Sequence, residues 1–202
     1  MTDHYFTPNP ETPSEKRTVD FTVRDLSVNL TTDRGVFSAS RVDRGTIVLC
    51  NATIPPPVEG DLLDLGCGYG PIAIVLATRY SDRKVWAVDV NERAVELTRA
   101  NAAALGLQNI EACLPADVPN DIGFAAIYSN PPIKVGKTVL HAMMNDWLPR
   151  LHDGGAAFLV VHKHLGSDSL QKWLDEKGLE TKRILSSSGY RVLRAKSCLR
   201  AS

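Results

Sequence analysis

The chain has 202 residues, of which 44% are apolar, 23% charged and 6% aromatic. That size and composition support one globular core with extra ends and exclude wholesale disorder and fibrous classes. Lysine plus arginine and aspartate plus glutamate balance at 23 each, which argues against a protein that coats nucleic acid through bulk charge. The balance is uneven along the chain: residues 1–133 hold 11 basic against 17 acidic residues, and residues 134–202 hold 12 against 6. No apolar run approaches the roughly 18 residues of a membrane span, and Met-Thr-Asp-His lacks a basic-then-apolar leader, so a cytoplasmic protein is expected. Cys50, Cys67, Cys113 and Cys198 stand far apart with no C-x-x-C pair, so they are read as reduced and neither zinc nor a disulfide framework is expected.

Residues 1–16, with three prolines among polar residues, read as a loose lead-in that Tyr5 and Phe6 could partly order. Residues 17–202 read as one domain, with a 17–57 hairpin and helix extension ahead of a 58–202 core. Val19, Phe21 and Val23 alternate, Asp25-Leu26 turns, and Val28 and Leu30 follow, which predicts a β-hairpin. Val42 to Asn51 has helical spacing and stops before Pro55-Pro56-Pro57. Strands over 61–65 and 84–88 then alternate with helices over 71–80 and 91–105, the first helix starting at a proline. Strands near 110–114 and 124–128, a helix near 139–151, a strand over 156–161 and a helix over 169–177 continue the rhythm. The strands are apolar throughout, which implies a parallel sheet covered by helices on both faces. Thr181–Leu185 and Tyr190–Arg194 flank a Ser-Ser-Ser-Gly turn and predict a final antiparallel hairpin. Trp147 and Trp173 fall on helices and are assigned to the core.

The strand ending at Leu65 runs into Gly66-Cys67-Gly68-Tyr69-Gly70 and then a helix. Ligands of open α/β sheets bind beyond the carboxyl ends of strands, where glycines admit a ligand close to the backbone. Asp89 ends the next strand 19 residues after Gly70, the spacing at which a carboxylate can accept both ribose hydroxyls. Asp117, after the third strand, is placed to meet an adenine edge. The spacing is G-x-G-x-G, not the G-x-G-x-x-G of dinucleotide sites. Gly136-Lys137-Thr138 imitates the end of a phosphate loop, but Pro131 stands where that motif needs its first glycine.

The run Asp64-Leu65-Gly66-Cys67-Gly68-Tyr69-Gly70, with Asp89 downstream, resembles the first motif of class I S-adenosylmethionine-dependent methyltransferases. The resemblance implies a Rossmann-like fold, a seven-stranded mostly parallel sheet ending in an antiparallel hairpin. It also implies that the loop holds the methionine end of the cofactor, that Asp89 with Val90 and Asn91 holds the ribose, and that Ala116-Asp117 lies by the adenine. Asn130-Pro131-Pro132-Ile133 follows the strand at 124–128 and resembles the catalytic motif of methyltransferases that modify planar amines on nucleobases and glutamine side chains. An exocyclic amine shares its lone pair with its ring and is a poor nucleophile. The Asn130 oxygen and the Pro131 carbonyl can accept its two N–H bonds and favour the pyramidal form. Holding nitrogen, methyl and sulfur in line is then most of the catalysis. Ile133 stands where the nucleic-acid enzymes often have an aromatic that stacks on a flipped base.

Gly35-Val36-Phe37-Ser38, Asp43, Gly45, Thr46, Asn130 to Lys137 and Ser188 to Leu193 narrow the resemblance to small-domain methyltransferases related to the bacterial guanine-N2 enzymes of small-subunit ribosomal RNA. It runs from about residue 17 to 196, although longer relatives carry a further N-terminal domain. By it, Phe37 and Thr46 border the cofactor and Lys134 and Lys137 lie beside the target. His162-Lys163-His164 lacks a third metal ligand, which leaves Lys163 as an RNA contact. The expected partner is ribosomal RNA or the small ribosomal subunit, with no membrane and no metal; the oligomeric state is left open. Two alternatives stand beside this reading: transfer to a protein glutamine or small-molecule amine, and a cofactor-binding ribosome-assembly factor without turnover.

Overall fold

The computed structural model describes residues 12–197. Tyr5, Phe6 and Cys198 lie outside the described residues. Strands β1 (Arg17–Val23) and β2 (Leu26–Thr32) form the expected antiparallel hairpin. Helix α1 (Arg44–Asn51) follows. Strands β3 (Leu62–Leu65), β4 (Val85–Val88), β5 (Ile110–Cys113) and β6 (Phe124–Ser129) alternate with α2 (Pro71–Arg79) and α3 (Glu92–Ala104). Helix α4 (Lys137–Trp147), strand β7 (Leu151–His162), helix α5 (Ser167–Glu176) and the hairpin β8 (Leu179–Ser187) and β9 (Tyr190–Ser197) complete the order. One seven-stranded sheet has the order β5-β4-β3-β6-β7-β9-β8. Its first five strands are parallel, and β9 runs antiparallel to both neighbours.

Because successive strand side chains point to opposite faces, an all-apolar strand builds two cores. Leu62, Val85, Tyr128 and Val160 face α1 to α3, together with Val19 and Phe21 of the first hairpin. Leu63, Trp86, Ile127 and Leu159 face α4 and α5, with Trp147 buried among them and Trp173 packed at the margin. The first hairpin is clipped to the core by Asn101 of α3. Its side chain accepts from the Thr31 N–H and donates to the Thr31 carbonyl, both at 2.8 Å, and also donates to the Tyr69 carbonyl at 2.8 Å. One amide thus joins hairpin, helix and glycine loop.

Two boundaries differ most from expectation, by four and five residues. The helix expected over 139–151 ends at Trp147, because Pro149 lies in a 3-10 turn over Leu148–Arg150. Strand β7 then starts at once at Leu151, five residues early, and a register irregularity opposite Phe124–Ala126 takes up Asp153-Gly154-Gly155. The last turn is tighter than Ser-Ser-Ser-Gly suggests. Ser188 and Gly189 alone form it, with φ of 51° and 81°, the two positive angles of a type I′ hairpin.

Candidate active site

Everything that bears on chemistry gathers at the carboxyl ends of β3, β4, β6 and β7, around a cavity of about 370 Å³. Two neighbouring strand ends set its floor. Beyond β3, Gly66 and Gly68 take φ of 77° and 58°, and a Cβ at either would meet no atom within 4 Å, so the bare backbone faces open space. Gly70 differs: a Cβ there would press on Thr98 at 2.9 Å, so this glycine seats the α2 N-terminus against α3. Beyond β6, Pro132 has φ −75° and ψ 71°, and the Ile133 N–H donates to the Pro131 carbonyl at 2.8 Å. That is an inverse γ-turn at an angle the pyrrolidine ring already enforces. The Pro131 oxygen keeps a second lone pair for another donor. The buried Ser129 hydroxyl donates to the Leu65 carbonyl at 2.6 Å and ties the two strand ends together.

Asn130 is held from the N-terminal extension. Its Nδ2 donates to Asp43 Oδ2 at 2.9 Å and to Thr46 Oγ1 at 3.1 Å. Asp43 is also the N-cap of α1, taking the Gly45 and Thr46 N–H groups at 2.7 and 3.4 Å on the same oxygen. A carboxylate only accepts, so the Asn130 amide must turn its NH₂ toward Asp43 and keep its carbonyl oxygen for other donors.

The carboxylates on the glycine side are buried. Asp89 Oδ2 accepts from the Gly68 N–H at 2.9 Å and Oδ1 from the Asn91 N–H at 3.0 Å. Asp64 is fully buried; Oδ2 accepts from the Ala73 N–H at 2.9 Å, and Oδ1 has no hydrogen-bond partner. Burial raises both groups, with Asp89 adding to the effect on Asp64, whose carboxyl is pushed up to about 8. Asn91 caps α3 and donates to the Gly35 carbonyl at 2.8 Å, which brings the 35–38 turn to the rim.

Of the residues singled out from sequence, Phe37, Gly66, Gly68, Asp89, Asn91 and Asn130 to Ile133 line this cavity. Thr46, Cys67 and Tyr69 line a small adjoining hollow. Asp64 and Gly70 lie in the loop's base, and Val90 is exposed. Ala116 and Asp117 are exposed on the turn after β5 and do not line the cavity; the Asp117 carboxylate accepts from the Leu114 N–H at 3.3 Å. Lys137 starts α4 and Lys163 follows β7, both exposed and neither lining the cavity, and the side chain of Lys134 lies outside the described residues. Ser38, Asp43, Ala94, Val160, Val161, His162, Leu165 and Tyr190 complete the wall without having been assigned a role. Asp43 had a legible signal as a cap before a helix, but nothing local pointed it at Asn130. Among the described residues no group of three or more His, Cys, Asp or Glu could hold a metal, and no helix is long and apolar enough to cross a membrane.

The family profile of the methyltransferase small domain matches residues 27–194. The chain belongs to this family. Within and around it, the chain is 38% identical over 199 residues to the uncharacterized protein YbxB of Bacillus subtilis, covering 97% of this chain and 99% of that one. It is 35% identical to ribosomal RNA small subunit methyltransferase C of Aeromonas hydrophila, over 80% of this chain and 47% of the relative. It is 32% identical to ribosomal RNA large subunit methyltransferase G of Shewanella amazonensis, over 78% and 43%. Among solved structures, the Thermus thermophilus (T. thermophilus) 16S rRNA N2 G1207 methyltransferase RsmC, in complex with AdoMet and guanosine, superposes with a TM-score of 0.77 at 29% identity. That match covers 93% of this chain and 52% of RsmC. The chain therefore spans about half the length, or less, of these ribosomal RNA methyltransferases, and nearly all of YbxB.

Proposed function

We propose that this protein is an S-adenosylmethionine-dependent methyltransferase of ribosomal RNA whose acceptor is the exocyclic N2 of a guanine in 16S RNA. The observation that carries the reading is the fixed amide of Asn130. With its NH₂ pinned by Asp43 and Thr46, Oδ1 is the acceptor that remains for an incoming amine. The residues fit the cofactor. Gly66 and Gly68 leave a cradle that any Cβ would fill, and the Asp89 carboxyl, which lines the cavity beside them, keeps lone pairs that can accept ligand hydroxyls. When bound, S-adenosylmethionine supplies an electrophilic methyl group on a sulfonium.

The chain's own residues would do the rest. Gly66 to Gly70 and Asp64 would hold the methionine end, Asp89 with Val90 and Asn91 the ribose, and Ala116-Asp117 the adenine, with Phe37 and Thr46 at the border. Asn130 Oδ1 and the second lone pair of the Pro131 carbonyl would accept the two N–H bonds of the amine and hold its nitrogen pyramidal. Neither group needs to ionise, so preorganisation supplies the effect. Pro132 and Ile133 would lie against the base, and Lys134, Lys137 and Lys163 along the RNA.

Support for the guanine is narrower than for the RNA, since relatives named for both ribosomal subunits match at similar identity. The test is to incubate the protein with methyl-labelled cofactor and, separately, small subunits, large subunits, protein-free ribosomal RNA and total soluble protein. Label in 16S RNA recovered as N2-methylguanosine is expected. Label in a glutamine-containing protein or in a different nucleoside would overturn the assignment.

A further inference from the structure

The C-terminal hairpin carries a second hollow, of about 280 Å³, distinct from the cavity of Asn130; of its lining only Lys163 has been given a role above. Lys163, Arg183 and Arg191 line it together with the hydroxyls of Ser186, Ser187 and Ser188. Both guanidiniums donate to one oxygen of Asp168, Arg183 at 2.8 Å and Arg191 at 2.5 Å, and Arg191 also donates to the Ser167 hydroxyl at 2.8 Å. One carboxylate thus clamps two planar forks in place, while three cations outweigh its single negative charge. The Lys163 N–H donates to the Gly189 carbonyl at 2.9 Å, which fixes the end of β7 to the hairpin turn. Two clamped guanidiniums with donors beyond those spent on Asp168, an exposed ammonium and adjacent hydroxyls match a phosphodiester better than a lone carboxylate. Position decides the rest. Tyr190 lines both this hollow and the cavity of Asn130, and its ring meets His162 edge-on at 5.1 Å between centroids. The hollow is one aromatic ring away from the proposed methyl acceptor.

We infer that this hollow binds a backbone phosphate of the RNA strand adjoining the nucleotide to be methylated. The inference rests on the RNA reading of the active site. It gives a role to three of the 12 basic residues of positions 134–202, Lys163, Arg183 and Arg191.

The test uses the full chain, a fluorescent single-stranded RNA of about 12 nucleotides and mixed sequence, and isolated small subunits as methyl acceptors. Lys163→Ala removes an exposed cation, and Ser187→Asp adds a charge inside the hollow without touching the Asp168 clamp. Thermal melts check that both fold. Lys163→Ala is expected to weaken RNA binding roughly three- to tenfold at physiological salt and to shallow the slope of log affinity against log salt by roughly 0.7, one single-strand phosphate. Ser187→Asp is expected to weaken binding more than about tenfold, with S-adenosylmethionine affinity within about twofold in both. If the wild type methylates RNA while both variants bind it as the wild type does with the same slope, the phosphate site falls and the active-site reading stands. If the wild type takes up cofactor but neither binds nor methylates any ribosomal RNA, both fall. A polyglutamate peptide that binds as tightly as RNA, and is lost in the same two variants, would overturn the phosphate assignment alone.

Discussion

The two flanks of the active-site cavity are built on opposite electrostatic plans. On the β3–β4 flank, Asp64 and Asp89 are buried with carboxyls raised by desolvation, and their neighbours are backbone N–H groups. On the β7–β9 flank the charges are two arginines clamped by a single exposed aspartate, and an exposed lysine beside them. A dry recess whose carboxyls are held toward the neutral form offers hydrogen-bonding oxygens rather than net charge, and an open basic groove is suited to a polyanion. The two flanks therefore differ in burial as well as in sign of charge. Asn130 stands at the boundary between them.

That boundary is where the largest effect is expected. Asn130→Ala removes the oriented acceptor and should lower kcat by roughly 10²- to 10³-fold, the range for one preorganised donor or acceptor. Because the glycine cradle and Asp89 remain, S-adenosylmethionine affinity measured by calorimetry should change no more than a few-fold. Product formation at the wild-type rate would show that the two flanks meet elsewhere. A smaller effect sharpens the same point. Asp43→Ala should cost about 1 kcal/mol of stability as a lost helix cap, and should lower kcat roughly tenfold, corresponding to about 1.4 kcal/mol, because the Asn130 amide is no longer oriented. Asp43→Asn retains an oxygen for both the cap and the Asn130 NH₂ and should recover most of the rate at unchanged cofactor affinity. Equal kcat in the Ala and Asn variants would reduce Asp43 to a capping residue.

The two flanks also differ in how much of them is legible before the structure is seen. The acidic flank is local chemistry: a strand, a glycine turn and a helix lie within 20 residues, and Asp89 directly follows the very next strand. Period and turn residues suffice to place them. The basic flank and the rim depend on distant pairings. Asp43 reaches Asn130 across 87 positions, and Arg191 reaches Asp168 across 23. No periodicity encodes such contacts, because topology alone brings the α1 cap to the end of β6. Gly154-Gly155 likewise hides the first half of β7, since paired glycines read as a break while the bulge they permit keeps the strand in the sheet. Asn101 reads as one polar residue on an amphipathic helix, and only its contact with Thr31 reveals a clip.

A stability effect, rather than a loss of rate, tests the acidic flank by itself, through pH. In the unfolded chain the Asp64 carboxyl titrates near 4, whereas burial raises it to about 8 in the folded protein, with the Ala73 N–H opposing and Asp89 reinforcing the shift. Between those values the folded state holds a proton that the unfolded state has released. Stability should therefore fall as pH rises from about 4 to about 8, with the slope set by that one-proton difference. Asp89 is raised in the same direction and adds to the decline. Asp64→Asn cannot ionise and is close in shape, so its melting temperature should decline less steeply across this window, leaving the part due to Asp89. Parallel declines in the two proteins would mean that Asp64 is ionised in the fold, and the β3–β4 flank would then present a fixed negative charge rather than a proton-holding acid.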